Sequence, residues 1–191
     1  MKDNLLKIFG NYVHATESDL KICEEYFQSY SSPKNTILEE ENKIPENLYF
    51  ITKGYMRLFY YDLNGDEVTT LIAPPNSFIT SYLDFIHQKK SNQNLESITD
   101  CEYCQIEQSK LAELIDKNEN FKQFSLIIFE RAMADTTNRA NDLATLTAEL
   151  RYKKLLNDAP DIIQHVPIQY IASFLGIKSQ SLSRIRKQLI K

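Results

Sequence analysis

The spacing of apolar side chains changes along the chain, and the first stretch has helical spacing. Within residues 3–30 it places Leu5 near Phe9 and Leu20 near Cys23, which predicts two short helices. Thr16 lies three residues before Asp19, a spacing typical of the start of the second helix. That helix is expected to end at residues 31–33, because the residue before a proline is pushed out of the α region.

From residue 36 to about residue 106 the apolar positions alternate, which predicts a series of short β-strands. A strand over residues 48–51 ends near Gly54, and a strand over residues 55–61 leads into a hairpin turn at Asn64 and Gly65. The return strand and the last strand are predicted over residues 68–72 and 95–106. Since the chain has only 4 glycines, asparagines are expected at several left-handed turn positions. The pattern predicts an antiparallel β-roll or jelly roll.

A long helix is predicted over residues 118–144, which contain neither glycine nor proline, after a shorter helix over residues 110–115 capped by Ser109. One apolar stripe of the long helix, at Phe121, Phe124 and Ile128, suits packing on the β-roll. A second stripe recurs at heptad spacing and consists of Leu126, Phe129, Met133, Thr136, Ala140 and Leu143. Two interpretations are open: this seam faces a second copy across a two-fold axis, or both stripes form one wide buried face of a monomer.

Three more helices are predicted after the long one, over residues 147–157, 167–175 and 179–190, with Gly176 in the last turn. Apolar positions in the last two helices face each other, and the small Ala172 lies where the helices approach. Around the last helix five cations and no acid are exposed: Lys178, Arg184, Arg186, Lys187 and Lys191. This arrangement is typical of a DNA-binding helix-turn-helix, and the alternative is a plain amphipathic pair.

Charge divides the chain into two parts. Only 2 of the 26 acidic residues lie in residues 151–191, whereas 8 of the 22 Lys and Arg residues do. An acidic body with a basic end indicates a polyanionic partner, and a solvated basic helix is the alternative. The chain of 191 residues has globular composition, no apolar run of membrane-spanning length and no secretory signal, so we expect a cytoplasmic protein without membrane contact.

Candidate chemistry is sparse. A metal-binding β-barrel enzyme needs His and Glu ligands on neighbouring strands, and only His87 lies in the roll region. Cys101 and Cys104 are three residues apart in a predicted strand, so they point to opposite faces. We therefore predict no enzyme activity, no catalytic residue, no metal site and no cofactor.

The order of β-roll, long helix and helix-turn-helix resembles the cyclic-AMP receptor protein/Fnr (Crp/Fnr) family of bacterial transcription regulators. The resemblance covers nearly the whole chain and is carried by residues 48–54, 64–65, 76–79, 171–177 and 181–184. It implies an α+β fold with three parts: a cyclic-nucleotide-binding-like roll over 1–116, a dimerisation helix over 117–145 and a helix-turn-helix domain over 146–191. The sequence as given ends at Lys191, so we do not expect the full β-hairpin wing that usually follows.

The same resemblance implies a sequence-specific, dimeric regulator of transcription. The positions that correspond to the family's base readers are Ser179, Gln180 and Arg184, of which Arg184 suits guanine and Gln180 suits adenine. The full predicted DNA-binding set is Ser179, Gln180, Ser181, Ser183, Arg184 and Lys187. The implied partners are double-stranded DNA with an inverted-repeat operator, a second copy of the chain, an effector of unknown identity and, as a further candidate, RNA polymerase. The alternative function is an interaction module of the same fold whose C-terminal helices contact protein.

The predicted effector pocket departs from the family pattern. A Gly-Glu-Leu stretch is replaced by Thr80, Ser81 and Tyr82, and an Arg-Ser/Thr-Ala stretch by residues 91–93. The carboxylate for the ribose and the guanidinium for the cyclic phosphate are therefore both missing. The pocket set is Thr80, Ser81, Tyr82, Ser91, Asn92, Thr136 and Thr137. We do not expect cyclic AMP to bind; another small ligand, or a roll kept as a dimer scaffold, are the alternatives.

Overall fold

The computed structural model describes residues 2–189, and it consists of two N-terminal helices, a β-roll, a long helix and a C-terminal helical unit. The helices are α1 (Lys2–Tyr12), α2 (Glu17–Tyr26), α3 (Tyr82–His87), α4 (Gln108–Lys117), α5 (Glu119–Thr145), α6 (Ala148–Asp158), α7 (Pro160–His165), α8 (Ile168–Phe174) and α9 (Ser179–Leu189). The strands are β1 (Gln28–Ser32), β2 (Thr36–Glu39), β3 (Asn47–Lys53), β4 (Met56–Tyr61), β5 (Glu67–Ala73), β6 (Ser77–Ile79), β7 (Asn94–Ser97) and β8 (Cys101–Glu107).

The roll consists of two four-stranded antiparallel sheets. Their strand orders are β1-β8-β3-β6 and β2-β7-β4-β5. Buried apolar side chains from both sheets form one core, with Ile51 of β3, Met56 of β4 and Leu95 of β7 fully enclosed. The predicted mixed fold with an antiparallel β-roll is therefore confirmed.

The prediction of one strand over residues 95–106 is wrong. The segment forms β7 in one sheet and β8 in the other, separated by a turn at residues 98–100. Ile98 and Cys101 on either side of this turn are both buried, so the run of apolar positions does not show the change of sheet.

The expected end of the second helix is also wrong. It ends at Tyr26, and Gln28–Ser32 becomes β1, which pairs along its whole length with β8. β1 is an edge strand and four of its five residues are exposed. It is held by backbone hydrogen bonds to β8, and these leave no apolar pattern in the sequence.

Asparagine does occupy left-handed turn positions, at Asn35, Asn42 and Asn76. The hairpin between β4 and β5 is present, but Asn64 has no positive φ; only Gly65, with φ 80°, is left-handed there. The loop spans residues 62–66, in which Gly65 N–H donates to the Asp62 carbonyl at 3.0 Å. The hairpin is thus confirmed, with a longer loop than a two-residue Asn-Gly turn.

The N-terminal helices are fastened to the long helix. Thr16 caps α2 in a reciprocal capping box with Asp19, as predicted. The same Asp19 carboxylate accepts hydrogen bonds from Asn118 at 2.7 Å and Asn120 at 2.8 Å, at the start of α5. The expected cap at Ser109 is wrong, since α4 begins at Gln108 with Glu107 before it.

The long helix has the two predicted stripes. Phe121 and Phe124 are buried in the core shared with α1 and α2, and Ile128 packs against it. The heptad seam, in contrast, is exposed to solvent: Leu126 is 57% exposed, Met133 is 47% exposed and Leu143 is 37% exposed. The chain therefore does not bury both stripes as one face, which contradicts the interpretation of one wide buried face.

Within the described residues four helices follow α5, one more than predicted, because residues 160–165 form the short α7. Thr147 caps α6 as expected, whereas Pro167 lies just before α8 and is its N-cap. Gly176 takes the predicted left-handed conformation with φ 68°. Among the described residues, no helix combines the length and apolar character that crossing a membrane requires.

Candidate nucleic-acid interface and effector pocket

The C-terminal helix α9 presents one polar face to solvent. Leu182 is completely buried against α8, and Ile185 and Leu189 pack beside it on the same side. The exposed side chains recur one helical turn apart on the other side: Gln180, Ser181, Arg184, Lys187 and Gln188. The burial of Leu182 therefore fixes which side chains of α9 point outward.

Four of the six predicted DNA contacts lie on this polar face, namely Gln180, Ser181, Arg184 and Lys187. Ser179 and Ser183 are half-buried and lie at its border. Within residues 2–189, neither Arg184 nor Lys187 makes an ion pair, so both charges are available to an external anion. An unpaired guanidinium fork beside amide and hydroxyl groups can read base edges in a major groove.

The turn before α9 is fixed by close packing. A Cβ added at Gly176 would lie 3.1 Å from a methyl carbon of Leu143, so the glycine lets the turn approach the end of α5. Arg151 of α6 donates to the Leu175 carbonyl at 3.0 Å and to the Leu146 carbonyl at 2.6 Å. The turn is thus held by α5 and α6 as well as by its own hydrogen bonds.

The predicted effector pocket is only partly assembled. Ser91 Oγ donates to Ser81 Oγ at 2.9 Å, and Ser81 Oγ donates to the Asp84 carboxylate at 2.7 Å. Thr80 is buried nearby in the chain, and its hydroxyl has no hydrogen-bond partner among the described residues. This arrangement offers neutral hydroxyl groups with a carboxylate behind them, which disfavours a phosphate.

The other predicted pocket residues lie elsewhere. Tyr82 belongs to α3 and stacks on Phe129 of α5, with ring centroids 5.0 Å apart. Asn92, Thr136 and Thr137 are exposed, and the Thr136 hydroxyl donates to the Ala132 carbonyl of its own helix. A surface cleft of about 390 Å³ between α3, α4 and the start of α5 is lined by none of them.

A buried ion network that the sequence analysis missed lies on the outer side of β4. Arg57 is 1% exposed, and its Nε donates to Glu96 Oε2 at 2.7 Å. A second nitrogen contacts Glu67 Oε2 at 2.5 Å, and a third donates to the Thr69 hydroxyl at 3.2 Å. The guanidinium also lies 3.6 Å from the ring centroid of Tyr170, a residue of α8. The network thus joins the roll to the helix-turn-helix.

We call the contact between β5 and the helical unit the β5–α8 junction, comprising Glu67, Thr69, Arg139, Ser173 and Phe174. β5 is an edge strand, and Ser173 Oγ accepts from Thr69 N–H and donates to the Glu67 carbonyl, both at 2.9 Å. Arg139 of α5 donates to the carbonyls of Thr69 and Phe174, at 3.1 Å and 2.9 Å. Side chains of α5 and α8 therefore satisfy backbone groups that an open sheet edge would expose.

Two further contacts join the roll to the helical unit. Lys178, the residue before α9, forms an ion pair with Asp66 of the β4–β5 loop at 2.5 Å. Tyr55 stacks on His165 of α7, with ring centroids 5.4 Å apart. In the described part of the chain, no group of three or more His, Cys, Asp or Glu side chains is arranged to hold a metal ion.

The roll and most of the chain have recognisable relatives among known proteins. Residues 31–118 match the family model of the cyclic nucleotide-binding domain. The chain is 26% identical over 184 residues to the "cAMP-activated global transcriptional regulator CRP" of Escherichia coli, covering 91% of this chain and 88% of that protein.

Solved structures share the whole architecture. The c-di-GMP responsive global regulator CLP of Xanthomonas campestris matches with a TM-score of 0.71 and 18% identity, over 91% of both chains. FixK2 of Bradyrhizobium japonicum matches with a TM-score of 0.74 and 16% identity, over 85% of this chain and 84% of that one. At these identities the likeness of the structures concerns the fold, which extends from the roll into the helix-turn-helix.

Proposed function

We propose that the chain is a transcription regulator of the Crp/Fnr type that binds an inverted-repeat DNA operator as a homodimer through α9. The single observation that carries the proposal is the polar, acid-free face of α9. It presents Gln180, Ser181, Arg184 and Lys187 to solvent on a helix held in place by the buried Leu182.

The exposed heptad seam of α5 supports the homodimer. Leu126, Met133 and Leu143 expose apolar surface along one side of a 27-residue helix. A second copy related by a two-fold axis would cover this seam and present two copies of α9. Paired recognition helices then enter successive major grooves, so we propose half-site centres about 10–11 base pairs apart, or a multiple of that spacing.

Within the operator we assign two different roles to two cations. Arg184 lies one turn into α9, where its guanidinium fork matches the O6 and N7 acceptors of guanine, and Lys187 lies a turn further on, where it neutralises a phosphate. Ser179, Ser181 and Ser183 complete the proposed contact surface with Gln180. The three-part division into residues 1–116, 117–145 and 146–191 is part of the same proposal, as is a cytoplasmic location with RNA polymerase as a candidate partner.

The test measures the affinity of the chain for duplexes selected from random DNA and for scrambled duplexes, each over a range of salt concentrations. We expect Arg184→Ala to cost about 1–3 kcal/mol per half-site and to relax the preference at one base pair. Lys187→Ala should weaken binding to all duplexes alike and lower the salt slope by about one. The two variants remove the same charge from the same helix face, so each is the control for the other.

If Arg184→Ala lowers the affinity for selected and scrambled duplexes equally, then Arg184 contacts a phosphate. Ser179 and Gln180 would then be the residues that read bases. If the wild-type chain shows no salt-dependent binding to any duplex, DNA binding itself is wrong, and the C-terminal helices contact protein instead.

We further propose that the roll does not use cyclic AMP. Ser81 and Ser91 hydrogen-bond to each other, and the Asp84 carboxylate behind them repels a cyclic phosphate. Missing a buried charged partner costs on the order of 2–5 kcal/mol. Calorimetry with cyclic AMP, beside the Escherichia coli relative as a positive control, should give no binding tighter than about 100 µM. A dissociation constant near 10 µM would show that Lys89 or Lys90 holds the phosphate.

A further inference from the structure

The loop between β4 and β5 begins with Asp62 and ends with Asp66, which lies beside the start of α9, and we propose that this acidic tip restrains DNA binding. The tip comprises residues 62–66. It holds Lys178 through Asp66, so DNA must displace the tip before Lys178 can reach a phosphate. The inference rests on the proposed DNA-binding function and adds a regulatory contact to it.

The contact lies at the end of α9 that would meet DNA. Lys178 precedes Ser179, the first residue of the helix, and its ammonium lies 2.5 Å from Asp66 Oδ2. The side chains of Lys178 and Asp66 are both mostly exposed, so a polyanion in solution can compete for the ammonium. A cation at a helix N-terminus is well placed to contact a phosphate, because the free N–H groups there attract the same anion.

The tip is ordered by its own hydrogen bonds. Asp62 Oδ1 accepts the backbone N–H groups of Asn64 at 2.8 Å and Asp66 at 2.9 Å. These bonds, more than the nearby Lys178 ammonium, hold the pKa of the Asp62 carboxyl below its ordinary value. Both the position and the negative charge of the tip are therefore set before any ligand arrives.

The tip is also fastened to the unit that it restrains. Ser173 of α8 bonds to the backbone of Glu67, the first residue of β5 after the loop, and of Thr69. Because these bonds join the strand to α8, the carboxylates stay close to α9 as long as the β5–α8 junction is intact. A DNA phosphate can then bind the Lys178 ammonium only by breaking its ion pair with Asp66, and this competition weakens binding to any sequence.

The experiment measures the affinity of the full chain for one selected and one scrambled duplex. We expect Asp66→Asn to tighten binding to both duplexes about two- to five-fold, the range expected when one exposed ion pair is removed. In a Lys178→Gln background the same substitution should change affinity by less than about 1.5-fold, because no ammonium remains to be released. Asp116→Asn, an exposed carboxyl of α4, is the matched control for net charge and should leave affinity unchanged.

Three results overturn the inference while the DNA-binding function stands: no gain in Asp66→Asn, the same gain in the Lys178→Gln background, or the same gain in Asp116→Asn. Each would show that the tip does not compete for Lys178. Failure of the proposed function has a different signature, since the wild-type chain would then bind neither duplex. Thermal unfolding of every variant checks that the compared chains are folded.

Discussion

Removing the cation of the buried network should destabilise the protein more than removing any exposed one. In Arg57→Met the apolar stem is kept, and Glu96, whose side chain is 8% exposed, loses its contacts with the guanidinium. A buried ion left without its partner costs about 3–5 kcal/mol. The lost stacking on Phe59 and Tyr170, at 4.0 Å and 3.6 Å, adds about 0.5–2 kcal/mol, which Met packing partly offsets. We therefore expect a total loss of about 3–6 kcal/mol.

The assay is urea unfolding followed by circular dichroism, with Lys53→Met as the control. Lys53 pairs with Glu102 at 3.5 Å on the surface, and its loss should cost less than about 1 kcal/mol. The double variant Arg57→Met/Glu96→Gln removes the stranded charge and should recover at least about half of the loss. If Arg57→Met costs less than about 1 kcal/mol, or if Glu96→Gln recovers nothing, then the network is not a buried charge pair in solution.

Three further predictions concern the seam of α5 and two titrating carboxyls. Met133→Asp should convert the proposed dimer to a monomer in sedimentation at about 10 µM, whereas the exposed Asp135→Asn should not. A monomeric wild-type chain would show that the seam does not join two copies. Burial raises the pKa of Asp19, but hydrogen bonds from Thr16, Asn118 and Asn120 outweigh it and lower the pKa from 3.8 to about 2. Asp19 thus contributes stability above pH 3.8 that is lost as the pH falls towards 2. Asp19→Asn should remove this loss of stability in acid. An unchanged profile of melting temperature against pH would refute the lowered pKa of Asp19. Burial raises the pKa of Glu39 from 4.5 to about 7, so its folded form favours the proton. Stability should fall as the pH rises from 4.5 through 7, Glu39→Gln should reduce that fall, and Glu40→Gln should not.

The helical half of the fold was predictable because its signals are local and repeated. The Phe121 and Met133 stripes of α5, the capping box at Thr16 and the left-handed Gly176 each follow from spacing or from one residue's conformational range. The polar face of α9 also follows from the sequence, because Leu182 and its neighbours at helical spacing determine which side is buried.

The contacts between the roll and the helical unit could not be predicted in the same way. They depend on residues distant in sequence: Ser173 bonds to Thr69, and Arg57 meets Glu96 and Tyr170. One signal was present, since an arginine among the apolar positions of a strand indicates a buried partner. Its partners could be identified only after the strand order brought β4 beside β5 and β7.

The β5–α8 junction connects two requirements that are separate in principle. An edge strand needs cover, and a helix that reads DNA, the role we propose for α9, needs a fixed orientation. Here Thr69 gives its N–H to Ser173 of α8 and its carbonyl to Arg139 of α5, so one residue of β5 contacts both helices. Because both bonds use the Thr69 backbone, a shift of β5 must either break these bonds or move α5 and α8 together with the strand. A ligand of the roll can therefore reorient α9 only if β5 can take a second position and the ligand binds the roll with a different affinity in each position. The ratio of the two affinities then sets how far the ligand shifts the balance between the two positions.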